Sequence, residues 1–189
     1  MIKLLVENIL KHPLHFGWSV QGLGMLRTYL SQEVRLHVWD SSLKVAGASP
    51  YHDHPWDMDS LIVAGRYKQH RYVAPLPNDN WSVKLKFNSA MIQCGEAAQV
   101  VENPVEVELI EQSLEIYSEG QTYHQDSKEI HLSCPEDGTV TLVTRTFKSD
   151  RDHATVLWRG RGGWASAKPR DATEGEILEV TKRALETWF

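Results

Sequence analysis

The chain has 189 residues, 41% of them hydrophobic and 24% charged, which excludes disordered and collagen-like classes and suits a single globular domain able to build a core without staples. Twenty Lys and Arg against 25 Asp and Glu leave a formal charge of -5 with no basic stripe interleaved with aromatics, so no nucleic-acid partner is expected. No apolar run approaches the ~20 residues that cross a bilayer, residues 1–13 lack a secretory cleavage site, and two cysteines, Cys94 and Cys134, make no disulfide framework; a soluble cytoplasmic protein with no membrane partner is the expectation.

Residues 1–31 read as a helical N-terminal segment. Ile2, Leu5, Ile9 and Leu10 recur at near-helical spacing until Pro13 stops the helix, and a second helical stretch is predicted over Gly24 to Ser31. Residues 32–147 read as a β-barrel. It opens with VRLHVWD, where Val34, Leu36 and Val38 alternate with Arg35, His37 and Trp39. After a Ser-, Gly- and Pro-rich loop come YHDHPWDMDSLIVA and then Gly65, placed for a turn. The segments WSVKLKF, AAQVV, VEVELI, SLEIYS, EIHLS and TVTLVTR follow as short strand candidates. Asn103-Pro104, Glu119-Gly120 and Asp137-Gly138 supply turn chemistry between several of them. Residues 148–189 read as loop, including the Gly- and Arg-rich RGRGGW, then a C-terminal helix capped by Asp171 or Thr173.

The sharpest chemical signal is His52-Asp53-His54-Pro55-Trp56. In extended backbone, residues i and i+2 share a face, so His52 and His54 point two imidazoles at one centre while Asp53 points away. Two imidazoles suit a first-row transition metal, and a third ligand must come from a neighbouring strand. His131, ahead of the last hairpin, is the favoured donor; His124, in turn-like sequence after Gly120, is the other candidate.

The segment GASPYHDHPWDMDSLIVAG resembles the first motif of the cupin superfamily, the RmlC-like barrels: a Gly, His-x-His, an acidic residue, then Gly. EGQTYHQDSKEIHLS is a looser match to the second motif. The two bracket residues 47–144. The resemblance implies a cupin-like antiparallel barrel (a double-stranded β-helix), here with N- and C-terminal helices, holding one metal ion inside through His52, His54 and His131. Met58 stands where many cupins carry a ligand glutamate and is a poor ligand for a hard metal, so either Asp57 or Asp59 substitutes for it or the site has three histidines and no carboxylate.

A three-histidine cupin is similar to the thiol dioxygenases, which implies Fe(II) first, with Ni, Mn or Zn as alternatives. It also implies oxidation of a small polar or thiol substrate. Arg27 stands where those enzymes hold a substrate carboxylate with an arginine, and Arg145 stands where they carry a tyrosine. A guanidinium suits an anionic substrate because its planar fork binds a carboxylate at two points. Tyr72 or Tyr123 is a candidate donor to bound oxygen. The other readings are a non-oxidative isomerase or lyase, with Asp57 or Asp59 moving protons, and a cupin that binds a ligand without turnover. Pairing through barrel edges, common in cupins, makes a homodimer the expected assembly. His70 reads as an exposed strand histidine, with the mouth of the barrel as its other placement; His12, His15, His37 and His153 have no partner spacing that recommends them, and Trp56, Trp81, Trp158 and Trp164 read as packing or subunit-contact residues.

Overall fold

The computed structural model describes residues 1–46, 48, 50–78, 82–93, 104–148, 152–159 and 169–189. Helix α1 (Ile2–Lys11) and a short 3-10 turn (Pro13–His15) precede β1 (Trp18–Gln21), β2 (Leu23–Tyr29) and β3 (Val34–Lys44). Then come β4 (Tyr51–His52), β5 (Trp56–Ala64), β6 (Arg66–Val73), β7 (Leu85–Gln93), β8 (Val105–Ser118) and β9 (Thr122–Gln125). The chain ends with β10 (Ile130–Pro135), β11 (Val140–Lys148), β12 (His153–Trp158), β13 (Arg170–Asp171) and α2 (Glu174–Trp188). The fold is mainly β, in two antiparallel sheets with two helices. One sheet runs β13-β1-β2-β3-β11-β5-β9; six further strands close on themselves in the order β10-β4-β12-β7-β8-β6.

The seven-stranded sheet is buried on both faces. Val6, Ile9 and Leu10 of α1 and Ile177, Val180 and Ala184 of α2 pack with Val20, Leu26, Leu36, Val38 and Val140 on one side. On the other, Met25, Trp39, Met58, Ile62, Tyr123 and Val143 meet Tyr67 from β6 between the sheets. The alternation in β3 is therefore real, but its polar set, Arg35, His37 and Trp39, faces the space between the sheets and not solvent. Helix α2 begins as the sequence predicts: Thr173 and Glu176 form a reciprocal capping box. Its Arg183 donates from Nη1 to both oxygens of Asp40, which is buried within β3.

The second predicted helix is corrected. Residues 24–31 lie mostly in β2, which pairs with β1 and β3. With Met25 and Leu26 each buried on a different face, the period-2 pattern is lost and the segment mimics a helix. Helix α1 turns Val6, Ile9 and Leu10 inward and leaves Ile2 and Leu5 of the anticipated stripe exposed. VEVELI and SLEIYS form one long strand, β8. Part of the region anticipated as loop after residue 148 is β12, paired with β4 and β7. Gly65, Gly120 and Gly138 all take positive φ at their turns, and at Gly65 a Cβ would stand 2.6 Å from Thr139 Oγ1. AAQVV, Asn103, Gly47, Trp81, Cys94, Trp164 and most of RGRGGW lie outside the described residues.

Candidate metal centre

Strand β4 is only two residues long, yet it bridges β10 and β12, pairing His52 with His131 on one side and with Val156 on the other. Residues directly opposite one another in an antiparallel pair share a face, so the pairing aims both imidazoles into the space between the sheets. His54, two residues on, joins them. The ring centroids are 4.5 Å apart for His52 and His131, 4.8 Å for His52 and His54, and 5.0 Å for His54 and His131. One ring nitrogen from each lies within 4.8 Å of the others. Nitrogens about 2.1 Å from a shared ion stand about 3.0–3.4 Å apart in octahedral or tetrahedral geometry, so only a small closing of the rings is needed to seat one.

The hydrogen-bond pattern prepares the donors. His52 Nδ1 donates to the Pro50 carbonyl and His131 Nδ1 to the Glu129 carbonyl, both at 3.1 Å. A carbonyl only accepts, so each ring carries its proton on Nδ1 and keeps the Nε2 lone pair for an ion. All three imidazoles are held neutral. Burial is the main cause for each; the neighbouring histidines reinforce it at His54, and His52 reinforces it at His131, whose pKa falls to about 3. Neutral imidazole is the ligand form.

Asp53 turns away, as the i, i+2 geometry requires. It fixes the motif to β12: its Oδ1 accepts from Thr155 N at 2.6 Å and its own amide donates to Thr155 O at 3.0 Å. The turn leading to His131 is fastened to the same motif, with Ser127 N donating to Asp57 Oδ1 and Lys128 N to the His54 carbonyl. Both halves of the centre are thus tied through backbone.

Beside the histidines stands a cluster of guanidinium groups. Trp56 stacks on His54 at 5.2 Å, and its ring lies 5.1 Å from the Arg35 guanidinium carbon and 5.7 Å from that of Arg145. Arg27 and Arg35 approach the Tyr29 ring at 5.1 and 5.0 Å. Their charges are only partly compensated: Arg145 pairs with Glu33 and Arg27 donates to Gln21 Oε1. No side-chain carboxylate pairs with Arg35 among the described residues, and the Nε of Arg27 and Arg35 and both ring nitrogens of His37 are buried without a hydrogen-bond partner. Arg35 falls to a pKa of about 10, chiefly through burial, with Arg27 and Arg145 adding repulsion against the opposing pull of Tyr29 and Glu33. His37 is driven well below its ordinary value by burial and then by Arg35 and Arg27.

The structure brings His52, His54 and His131 together, places Arg145 against Trp56 and places Arg27 against Tyr29, the ring it shares with Arg35. It separates the remaining candidates from the centre. His124 is exposed on β9, paired with Asp59 at 2.8 Å and Asp126 at 3.1 Å. Asp57 sides with His124 and Asp126 in a separate surface group, so the carboxylates proposed as replacements for a ligand glutamate lie elsewhere. Met58 packs in the core between the sheets. Tyr72, expected as a donor to bound oxygen, follows Arg71, which is opposite His131, and so projects to the other face, where it packs against Tyr51 and Phe87. Tyr123 stacks on Tyr67 within the core. His70 pairs with Glu111. Arg35 and His37 were not anticipated; the signal was a strand whose polar alternation occurs in the middle of a sheet covered on both sides.

Comparison with protein-family models and with curated proteins finds no match to this sequence. The likeness to cupins stands on the antiparallel β architecture and the histidine-rich cluster. No described helix is long and apolar enough to cross a membrane.

Proposed function

We propose that the chain is a cupin-like mononuclear metal enzyme that uses O₂ to oxidise a small anionic substrate, with Fe(II) as the preferred ion and Ni, Mn or Zn as alternatives. The observation that carries this reading is the convergence of three neutral imidazoles, two with Nδ1 committed to a backbone carbonyl. Three nitrogen donors with no carboxylate fit a divalent transition ion and leave positions for substrate. When bound, the ion supplies Lewis acidity and, if it is iron, electrons for oxygen chemistry.

The protein's own residues then do three things. His52, His54 and His131 hold the site in one geometry because their backbone is tied to β10 and β12. Arg27, Arg35 and Arg145 supply positive charge for an anionic substrate. Trp56 closes the wall between these two groups. The isomerase or lyase alternative loses its proposed proton carrier, since Asp57 and Asp59 both face the His124 group.

Metal analysis of the purified protein tests the reading, with His52→Ala and His131→Ala alongside. We expect one ion per chain, lost in both variants, and oxygen uptake with Fe(II) and a panel of small anionic thiols and oxyacids. Absence of stoichiometric metal overturns the metal centre. An ion present with no oxygen uptake across the panel overturns the oxygenase assignment alone.

A further inference from the structure

Three cationic side chains crowd one wall of the space between the sheets with, among the described residues, a single acidic partner, Glu33, and that partner is half exposed on the loop between β2 and β3. Burying like charges together is unfavourable unless something compensates them. Aromatic faces compensate in part, through Tyr29 and Trp56. Arg35 is 8% exposed and His37 7% exposed, so water cannot serve as the general solvent for either, yet Arg35 Nε and both nitrogens of His37 lack a partner among the described residues. A buried guanidinium nitrogen without a partner, beside a neutral imidazole with one N–H to give, marks a seat for an anion.

The number of charges indicates the class of anion. A single carboxylate balances one guanidinium. Here three guanidinium groups, offset by one glutamate, leave an excess of two positive charges before any ion is counted in the histidine centre. Arg27 and Arg35 share the Tyr29 ring, and Arg35 and Arg145 share the Trp56 ring; a row of planar forks with Arg35 at its middle suits the three terminal oxygens of a phosphate monoester better than the two oxygens of a carboxylate. The chain as a whole is acidic, at -5, so this seat is local and suits a small molecule more than a polyanionic surface. An open depression of about 540 Å³ is lined by residues 29–33 and by Arg145, one of the three cations.

We propose that Arg27, Arg35 and Arg145, with His37 beneath them, bind the doubly charged phosphate group of a small phosphate monoester whose remainder reaches towards the three-histidine centre. The inference rests on the proposed reading of that centre as the reaction site. Spacings of 5.1 and 5.2 Å through Trp56 mean that the Arg35 guanidinium lies no farther from the His54 ring than their sum. A phosphate held there leaves the organic part of the ester within reach of the centre.

The test is calorimetric titration of the full chain, treated with chelator, at about pH 8, where phosphate is dianionic. Inorganic phosphate, methyl phosphate, acetate and malonate are compared at constant ionic strength. We expect one saturable site, methyl phosphate binding at least as tightly as inorganic phosphate, and both dicarboxylate and monocarboxylate binding more weakly. Arg35→Met and Arg145→Met should each weaken phosphate binding about 10- to 100-fold, the range for losing a charged hydrogen-bonding partner. Because the wild-type cluster is self-repelling, Arg35→Met should also unfold no more readily than wild type when no phosphate is present, which a purely structural role would not allow. Lys86→Ala, at an exposed position, should change neither property. No saturable phosphate binding, equal binding by malonate, exclusion of methyl phosphate, or a parallel loss of stability and affinity in Arg35→Met would each overturn the proposal. His52→Ala separates this inference from the metal reading: it should lose metal and keep phosphate, so either result fails without the other.

Discussion

Acidification should unfold this protein earlier than its net charge suggests, because four imidazoles, His37 and His131 buried and His52 and His54 half-buried, are held in the neutral form. His131 has a folded pKa of about 3, against an ordinary value of 6.5. His37, His52 and His54 are lowered as well, each mainly by burial. Between the two values the unfolded chain binds a proton that the folded chain refuses, so stability is fully present above about pH 6.5 and is lost as pH falls. The loss from His131 alone is RT ln(1 + 10) at one pH unit below its unfolded pKa, about 1.4 kcal/mol. His37, His52 and His54 add to this loss in the same direction, against the roughly 5–15 kcal/mol that holds a typical domain together. His124 works in the opposite sense, since its carboxylate partners raise its pKa, but it is exposed and screened and offsets little. Urea unfolding at stepped pH, in chelator, measures the effect. The slope should shrink in His131→Ala by up to one proton's worth, about 1.4 kcal/mol per pH unit, relative to wild type. A stability that stays level from about pH 7.5 to about pH 5.5, or a slope unchanged in that variant, would refute the claim that these rings are buried and neutral.

Three further outcomes follow from the packing. Arg183→Ala strands the fully buried Asp40 carboxylate, which keeps only its Ser42 hydrogen bonds; a loss of about 3 kcal/mol in chemical denaturation is expected. Gly65→Ala combines a φ of +93° with a Cβ pressed against the Thr139 backbone at 2.8 Å, and thermal melting should show a loss of about 2 kcal/mol or more. Asp53→Ala removes the acceptor that pins the His-x-His segment to Thr155; metal affinity, read by chelator competition, should fall about tenfold while the ligands themselves remain.

Much of the centre was legible before any coordinates, for a local reason. The spacing of His52 and His54 needs only extended backbone to bring both rings to one face, and the choice of His131 over His124 followed from its strand-like neighbours. The turns at Gly65, Gly120 and Gly138 were equally local, since each needs a conformation that glycine alone adopts cheaply. What stayed hidden depended on depth. Arg35 and His37 sit in an alternating pattern that normally marks a solvent-facing side, and nothing in the sequence tells that β3 becomes a central strand with helices behind it and a second sheet in front. The same two-sided burial disguised β2 as a helix. Tyr72 was misplaced for want of register: a shift of one residue decides between the histidine side of β6 and the aromatic packing on its reverse.

The brevity of β4 has a mechanical corollary. Two residues supply the whole seam between β10 and β12, and one of them is His52. A ligand that clasped His52 to His131 would rivet that seam, favouring the closed chain over the open one in proportion to its occupancy. Loading of the centre should therefore steady a ring that already closes without it, with slower protease nicking near residue 52 as the sign of a filled clasp.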